Sequence, residues 1–326
     1  MNHSVLVRAH GDASVMRYET TALPRPGPHE VLVRQEAVGV NFVDTMVRTG
    51  AFPAPLPTVL GFEAAGVVAA AGPETAFQAG ERVGYFFAPN AYADFNVVDA
   101  SALVRLPDDI TTRQAAAFLA KGLTAWMGLR ALHPLKAGDS ILVQGASGSV
   151  GSVLVRWARH LGATVIGVAG SAQKLPGVAR ASSLALVASD PYLVDKVRAL
   201  KPHGVDAVYD FVGEASFPSS LAAVRDGGSI LTIGAASGAP RPDRQELVRR
   251  AISIRGGGAP QYVTPANQAA ASGELFAAVR AGIFDDVDIV RHPLEGASAV
   301  HAAIDARRLT GLPVLVPRHV GDHTGA

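Results

Sequence analysis

Ile141-Leu-Val-Gln-Gly145-Ala-Ser-Gly148-Ser-Val-Gly151 decides the fold. An apolar strand runs into a glycine-rich turn, and the turn opens an amphipathic helix that ends near Leu161. Gly145 and Gly148 allow a tight bend and close approach of backbone to a pyrophosphate, and Gly151 lets the helix pack near the strand. The free N–H groups and positive dipole end of such a helix favour an anion. A glycine pattern alone is weak. This one follows a strand, opens a helix and starts a longer alternation.

Downstream, strand-like segments at 164–168, 184–188, 207–210, 229–233 and 252–255 alternate with helical ones at 173–181, 193–200, 217–224 and 244–251. With 141–144 and 149–161 this makes two βαβαβ halves, a doubly wound dinucleotide-binding sheet with right-handed crossovers. Upstream, short β-rich runs at 5–8, 31–35, 65–71, 82–86, 93–97 and 103–105 are separated by clusters such as Pro24-Arg-Pro-Gly-Pro28. They predict a β-rich, barrel-like domain. Residues 112–132 read as a linking helix despite Gly122 and Gly128. After Gly258, helices at 265–281 and 294–307 and strands at 287–291 and 314–316 return to the first domain. The expected division is therefore 1–118 with 260–326, and 119–259. Residues 318–326 read as a polar tail.

Composition narrows the partners. The 326 residues are 48% hydrophobic and 17% charged, enough apolar material for a sizeable core. The net charge of +1, from 29 basic and 28 acidic side chains, gives no sign of a nucleic-acid or membrane-surface partner. No apolar run approaches the ~20 residues of a membrane-spanning helix. No leader-like segment begins the chain. The absence of cysteine excludes disulfides and thiolate metal sites and is compatible with a cytoplasmic location.

The second strand of the alternation speaks to the cofactor. NAD sites place an acid about 20 residues after the glycine turn, against the ribose 2′-hydroxyl. Here the chain reads Val168-Ala-Gly-Ser-Ala-Gln-Lys174, and no acid lies between Gly145 and Asp190. Ser171 and Lys174 suit a 2′-phosphate, which a carboxylate would repel. NADPH is the expected cofactor.

Several segments then converge on one family: Asn41-Phe-Val-Asp44, Leu60-Gly-Phe-Glu-Ala-Ala-Gly-Val-Val68, Ala79-Gly-Glu-Arg-Val83, Lys121-Gly-Leu-Thr-Ala125, Gly145 to Gly151, Gly170 to Lys174, Val208-Tyr-Asp-Phe-Val-Gly213, Gly234-Ala-Ala-Ser-Gly238 and Leu315-Val-Pro317. In this order, across nearly the whole chain, they resemble the zinc-free, zeta-crystallin-like quinone oxidoreductases of the medium-chain dehydrogenase/reductase superfamily. The resemblance implies an α/β protein: a GroES-like substrate domain built from both chain ends, a Rossmann domain inserted in it, and NADPH in the cleft. It implies a homodimer through a Rossmann edge strand, here 252–255.

Carried over by position, Asn41, Lys121 and Tyr262 are the catalytic candidates. Asn41 and Thr124 meet the nicotinamide end. Gly148, Ser149 and Val150 hold the pyrophosphate; Gly170, Ser171 and Lys174 hold the ribose phosphate. Phe211, Val212, Gly213, Gly234 and Ala235 floor the ribose and nicotinamide, and Arg307 approaches the adenine. Asp44 is read as structural. Two positions depart from the family pattern: Ala188 stands where relatives place a tyrosine against the 2′-phosphate, and Met46 where some place an aromatic. Zinc-dependent relatives carry a cysteine near position 41 and a histidine after the glycine at 61; this chain has Asn41 and Phe62, and Glu63 alone cannot make a tetrahedral site.

A quinone or similar conjugated carbonyl compound is the implied small-molecule substrate. It is already an electrophile, so orientation and a hydrogen bond to the developing oxyanion, from Asn41, Lys121 or water, suffice without metal. An alkenal or enone double-bond reductase uses the same hydride chemistry. A cofactor-binding structural or RNA-associated protein is the alternative of another class, against which the low charge argues.

Overall fold

The computed structural model describes residues 1–318. The expected tail is thus described only at Arg318, and the remainder lies outside the described residues. The described residues divide into two compact units: 1–120 with 265–272 and 287–318, and 121–264 with 273–286.

The second unit is built on a six-stranded parallel sheet in the order Leu184–Val187, Thr164–Ala169, Ser140–Gln144, Val205–Asp210, Val224–Thr232 and Ser253–Gly256. This is the doubly wound order, reversing beside the first strand, where a dinucleotide site forms at the carboxyl ends of the strands. Both faces of the sheet are covered. Ser140–Gln144 is accordingly buried throughout, and Leu142, Ile166, Val208 and Ile230 meet in one apolar cluster.

In the first unit, Glu30–Gly39 is the central strand. It pairs antiparallel with Glu63–Ala71, Phe95–Asp99 and Leu312–Val316, so both chain ends enter one sheet. The register sets Gly39 opposite Glu63. A smaller sheet joins Asn2–Val7 to Arg17–Thr21 and Thr58–Val59. Both fold-class expectations, β-rich and doubly wound, are met.

Some boundaries differ from expectation. Arg17–Thr21 was not expected as a strand: its polar Arg-Tyr-Glu-Thr-Thr is mostly exposed and lacks an apolar alternation. Phe42–Thr49 is a helix of two turns, where the sequence signals only a motif. The helix Thr112–Trp126 widens over Met127–Leu132, with the His133 N–H reaching back five residues to the Gly128 carbonyl at 3.1 Å. Residues 260–264 and 273–286, expected in the first domain, group with the second unit. Within that unit, Leu275 packs against Gly122, the Phe284 ring stands edge-on to Trp157 at 6.1 Å, and Asp286 pairs with Arg156 at 2.6 Å.

Candidate functional site

The nucleotide side is built at the carboxyl ends of the parallel strands. After Gln144, Gly145 turns the chain at φ +77°, a left-handed conformation glycine adopts without penalty. Its carbonyl accepts from the Gly148 N–H at 2.9 Å, and Gly148 is the extended cap of the helix Ser149–His160. Ser149 and Val150 supply first-turn N–H groups that have no carbonyl a turn earlier within the helix. A Cβ on Gly151 would stand 2.2 Å from the Gly145 carbonyl oxygen and 3.0 Å from the Ala146 Cα, so only glycine lets helix and turn approach this closely.

The next strand ends at Ala169. Around Gly170 a Cβ would meet nothing within 4 Å, which leaves open space there for a ligand. Ser171 is extended and begins a short turn over Ala172–Lys174. Lys174 is half-buried and has no carboxylate partner among the described residues. Asp190, the first acid after the turn, is held by Lys196 at 2.6 Å and the Tyr192 N–H at 2.9 Å.

Phe211, Val212 and Gly213 are held by Asp210, which sequence analysis passed over. The buried Asp210 carboxylate accepts from the Val212 and Gly213 N–H groups at 2.9 Å each, from the Ser216 hydroxyl at 2.7 and 2.8 Å, and from the Ser220 hydroxyl at 2.8 Å. Its main-chain carbonyl accepts from Ile233 and Gly234. Ser237 closes the second side, donating from its N–H and hydroxyl to the Val212 carbonyl at 2.8 and 2.9 Å. Thus Phe211–Gly213 and the segment containing Gly234 and Ala235 are clamped together. Gly145 lies against them, since a Cβ there would touch Val212 at 3.3 Å. An acid at the end of a strand, just before an irregular loop, is the signal that could have found Asp210.

In the first unit, Asn41 caps the helix Phe42–Thr49 in extended conformation, and its N–H donates to Asp44 Oδ2 at 2.7 Å. Its side-chain Nδ2 donates to Glu63 Oε2 at 2.9 Å, and Glu63 Oε1 accepts from the Ala120 N–H at 2.7 Å. Glu63 is completely buried. Asp44 also accepts from the Tyr92 hydroxyl at 3.0 Å. Burial, followed by the nearby Asp44 carboxylate, pushes the Tyr92 hydroxyl well above its ordinary range, so it stays a donor.

The remaining candidates have distinct surroundings. Lys121 is fully buried, and Thr124 is half-buried one turn later. The Tyr262 hydroxyl donates to the Gly256 carbonyl at 2.9 Å. Arg307 is exposed, in a left-handed turn just after the helix Ala297–Asp305.

Comparison with known proteins agrees with this layout. Residues 27–108 match the alcohol dehydrogenase GroES-like domain, and residues 149–269 match the family described as zinc-binding dehydrogenase. A quinone oxidoreductase of Pseudomonas aeruginosa is 35% identical over 324 residues, covering 95% of this chain and 98% of its own. The chain belongs to the quinone oxidoreductase branch of the medium-chain dehydrogenase/reductase superfamily. A 2-haloacrylate reductase of a Burkholderia species is 34% identical, covering 97% of this chain and 99% of its own. Among solved structures, the Escherichia coli quinone oxidoreductase complexed with NADPH superposes with a TM-score of 0.91 at 31% identity, covering 97% of this chain and all of that one.

The residues fit NADPH: a glycine turn that bends tightly at Gly145, open space at Gly170, and Lys174 without a carboxylate partner among the described residues. They do not fit the zinc in the matched family's description. Asn41 and Phe62 stand where the resemblance places ligands in zinc-dependent members, Glu63 is engaged by two N–H donors, and among the described residues no three His, Asp or Glu side chains gather as a metal set.

Proposed function

We propose that this chain is a metal-independent, NADPH-dependent oxidoreductase that reduces a quinone. The observation that carries the reading is the glycine turn Gly145–Gly151 followed, at the next strand end, by Ser171 and a Lys174 that has no carboxylate partner among the described residues. The relatives named quinone oxidoreductase, one solved with NADPH, support it.

NADPH, when bound, supplies the hydride. Ser149 and Val150 bind its pyrophosphate through main-chain N–H groups, and Ser171 and Lys174 bind the 2′-phosphate. Asp210 holds the floor loops rigid, so the reacting ring is oriented without reorganisation at the moment of transfer. Asn41 orients the nicotinamide half. Lys121, being buried, acts on the developing oxyanion through its field in a low-dielectric surrounding rather than by contact. Water or the substrate's own solvent shell delivers the proton.

A second reading, reduction of a conjugated carbon–carbon double bond, is favoured by the likeness to 2-haloacrylate reductase. Oxidation of NADPH, followed optically with 1,4-benzoquinone, 9,10-phenanthrenequinone and 2-alkenals, separates the two. Faster turnover of the quinones supports the first reading, and turnover of alkenals alone replaces it with the second. The protein acts as a homodimer through the sheet edge at Ser253–Gly256, whose outer main-chain groups are a natural pairing template. A cytoplasmic location accords with the absence of cysteine.

A further inference from the structure

We infer that the stacked rings of Phe62 and Phe87 form a platform in the first unit that takes the acceptor by a flat, uncharged aromatic ring and disfavours acceptors carrying a carboxylate or sulfonate. The inference rests on the quinone-reducing reading above and narrows its substrate class.

Three rings make one apolar corner. Phe62 and Phe87 stack with centroids 5.2 Å apart and 22° between their planes, and Phe52 stands edge-on to both, at 6.1 and 6.4 Å. Phe87 stays 41% exposed, although a ring of this size gains from burial. Its backbone is costly as well: φ is +61°, a left-handed conformation that is an outlier for a bulky side chain. Such strain persists only where the surroundings over-determine it. Here they do. The buried Asn96 amide donates to the Pro89 carbonyl at 2.8 Å, and the buried Gln35 amide donates to the carbonyls of Ala91 and Ala93 at 2.9 and 2.5 Å. The Ala91 and Tyr92 N–H groups donate to the carbonyls of Gly61 and Leu60 at 3.1 and 2.7 Å, which ties the Phe87 loop to the residues just before Phe62. The Phe52 N–H donates to the Met46 carbonyl at 3.0 Å, in the helix capped by Asn41, and Phe62 precedes Glu63, which accepts from the Asn41 amide. The platform therefore belongs to the neighbourhood of Asn41. Its chemistry suits an uncharged ring. No charged side chain lies between Arg48 and Glu63 or between Arg82 and Asp94, the two stretches that carry the three rings. Arg48 itself is buried and pairs with Asp305. A flat aromatic ring gains by stacking on the exposed part of Phe87. An anionic group brought here loses hydration and meets no counter-charge from these two stretches.

The test uses two acceptors that share one ring system, 1,2-naphthoquinone and 1,2-naphthoquinone-4-sulfonate, each measured with NADPH. In the parent, the KM for the sulfonate is expected to exceed that for the uncharged quinone about tenfold or more. Phe87→Gly removes the ring and keeps the turn, because glycine adopts φ +61° without strain. Its KM for 1,2-naphthoquinone is expected to rise about five- to tenfold. Phe87→Arg keeps a planar group beside Phe62 and adds a positive charge, so the ratio of sulfonate KM to quinone KM is expected to fall about tenfold. Equal KM values for the two acceptors in the parent overturn the inference. So does an unchanged ratio in Phe87→Arg, or an unchanged quinone KM in Phe87→Gly. Should either variant fail to fold, Phe62→Leu decides, since it keeps apolar bulk and removes the stacked plane: a raised KM for 1,2-naphthoquinone supports the platform, and an unchanged one overturns it. Equilibrium dialysis of 9,10-phenanthrenequinone against the protein without NADPH separates platform from activity. Binding that Phe87→Gly weakens, with no turnover by the parent, removes the proposed activity and leaves the platform. Turnover by the parent with every KM unmoved in the variants removes the platform and leaves the activity.

Discussion

The Tyr92 hydroxyl lies 3.0 Å from His301 Nε2, joining residues 209 apart in sequence beneath the helix that carries Asn41. Because this hydroxyl donates to Asp44, it accepts from His301, which fixes the imidazole as the neutral form protonated at Nε2. Burial, and then the Arg48 guanidinium, lower the His301 pKa from 6.5 to about 3.

That shift predicts the acid limb of stability. Between pH 6.5 and about 3 the unfolded chain binds a proton at His301 that the folded chain refuses. Stability is therefore full above the unfolded value and falls as pH drops through this window, by at most about 1.4 kcal/mol per pH unit from this group. Urea unfolding at a series of pH values checks it. His301→Gln should flatten the curve there, and an equal slope in both proteins contradicts the assignment.

Arg48 is almost wholly buried and donates from Nη2 to both Asp305 oxygens at 2.8 Å, tying the Asn41 helix to the C-terminal segment. Asp305 is itself partly exposed, which screens the pair. Asp305→Ala leaves a buried guanidinium uncompensated and is expected to destabilise by about 1–3 kcal/mol, measured by denaturant titration. The loss should exceed that of Arg48→Met, which removes the charge itself.

Gly151 and Gly170 make a matched pair of tests. Gly151→Ala drives a Cβ into main-chain atoms of the turn and should cost about 1–3 kcal/mol and weaken NADPH binding. Gly170→Ala meets nothing in the protein, so stability should hold. Calorimetry on the two variants, with and without NADPH, reads both effects.

Lys174→Ala should separate the two nicotinamide cofactors. Loss of a charge-assisted contact to the 2′-phosphate is expected to raise the Kd for NADPH roughly 10- to 100-fold and leave that for NADH nearly unchanged. Parallel titration with both cofactors measures it; equal changes would mean that Lys174 does not meet the phosphate.

Much of this architecture is written locally. The strand–turn–helix at Ile141–Gly151 and the alternation after it place the doubly wound sheet because periodicity and glycine spacing are short-range signals. The polar strand Arg17–Thr21 escapes because an exposed edge needs no apolar alternation. The contacts that shape the site escape for another reason. Glu63 reaches Asn41 across 22 residues only through the register of two strands, and its recess depends on Gly39 lacking a side chain. Asp210 is visible in Val208-Tyr-Asp-Phe-Val-Gly213, but its five hydrogen bonds depend on Ser216 and Ser220 turning back toward it. Pattern names such residues; register and loop closure give them their partners.

Hydride delivery from a phosphorylated nicotinamide cofactor to a quinone, with no metal taking part, underlies every role assigned above. The decisive measurement is the steady-state rate with 1,4-benzoquinone on chelator-treated protein, with NADPH and with NADH. Turnover is expected to be undiminished after metal removal, with a marked preference for NADPH. Loss of turnover that added zinc restores would assign the chemistry to a metal, and equal use of the two cofactors would remove the 2′-phosphate site.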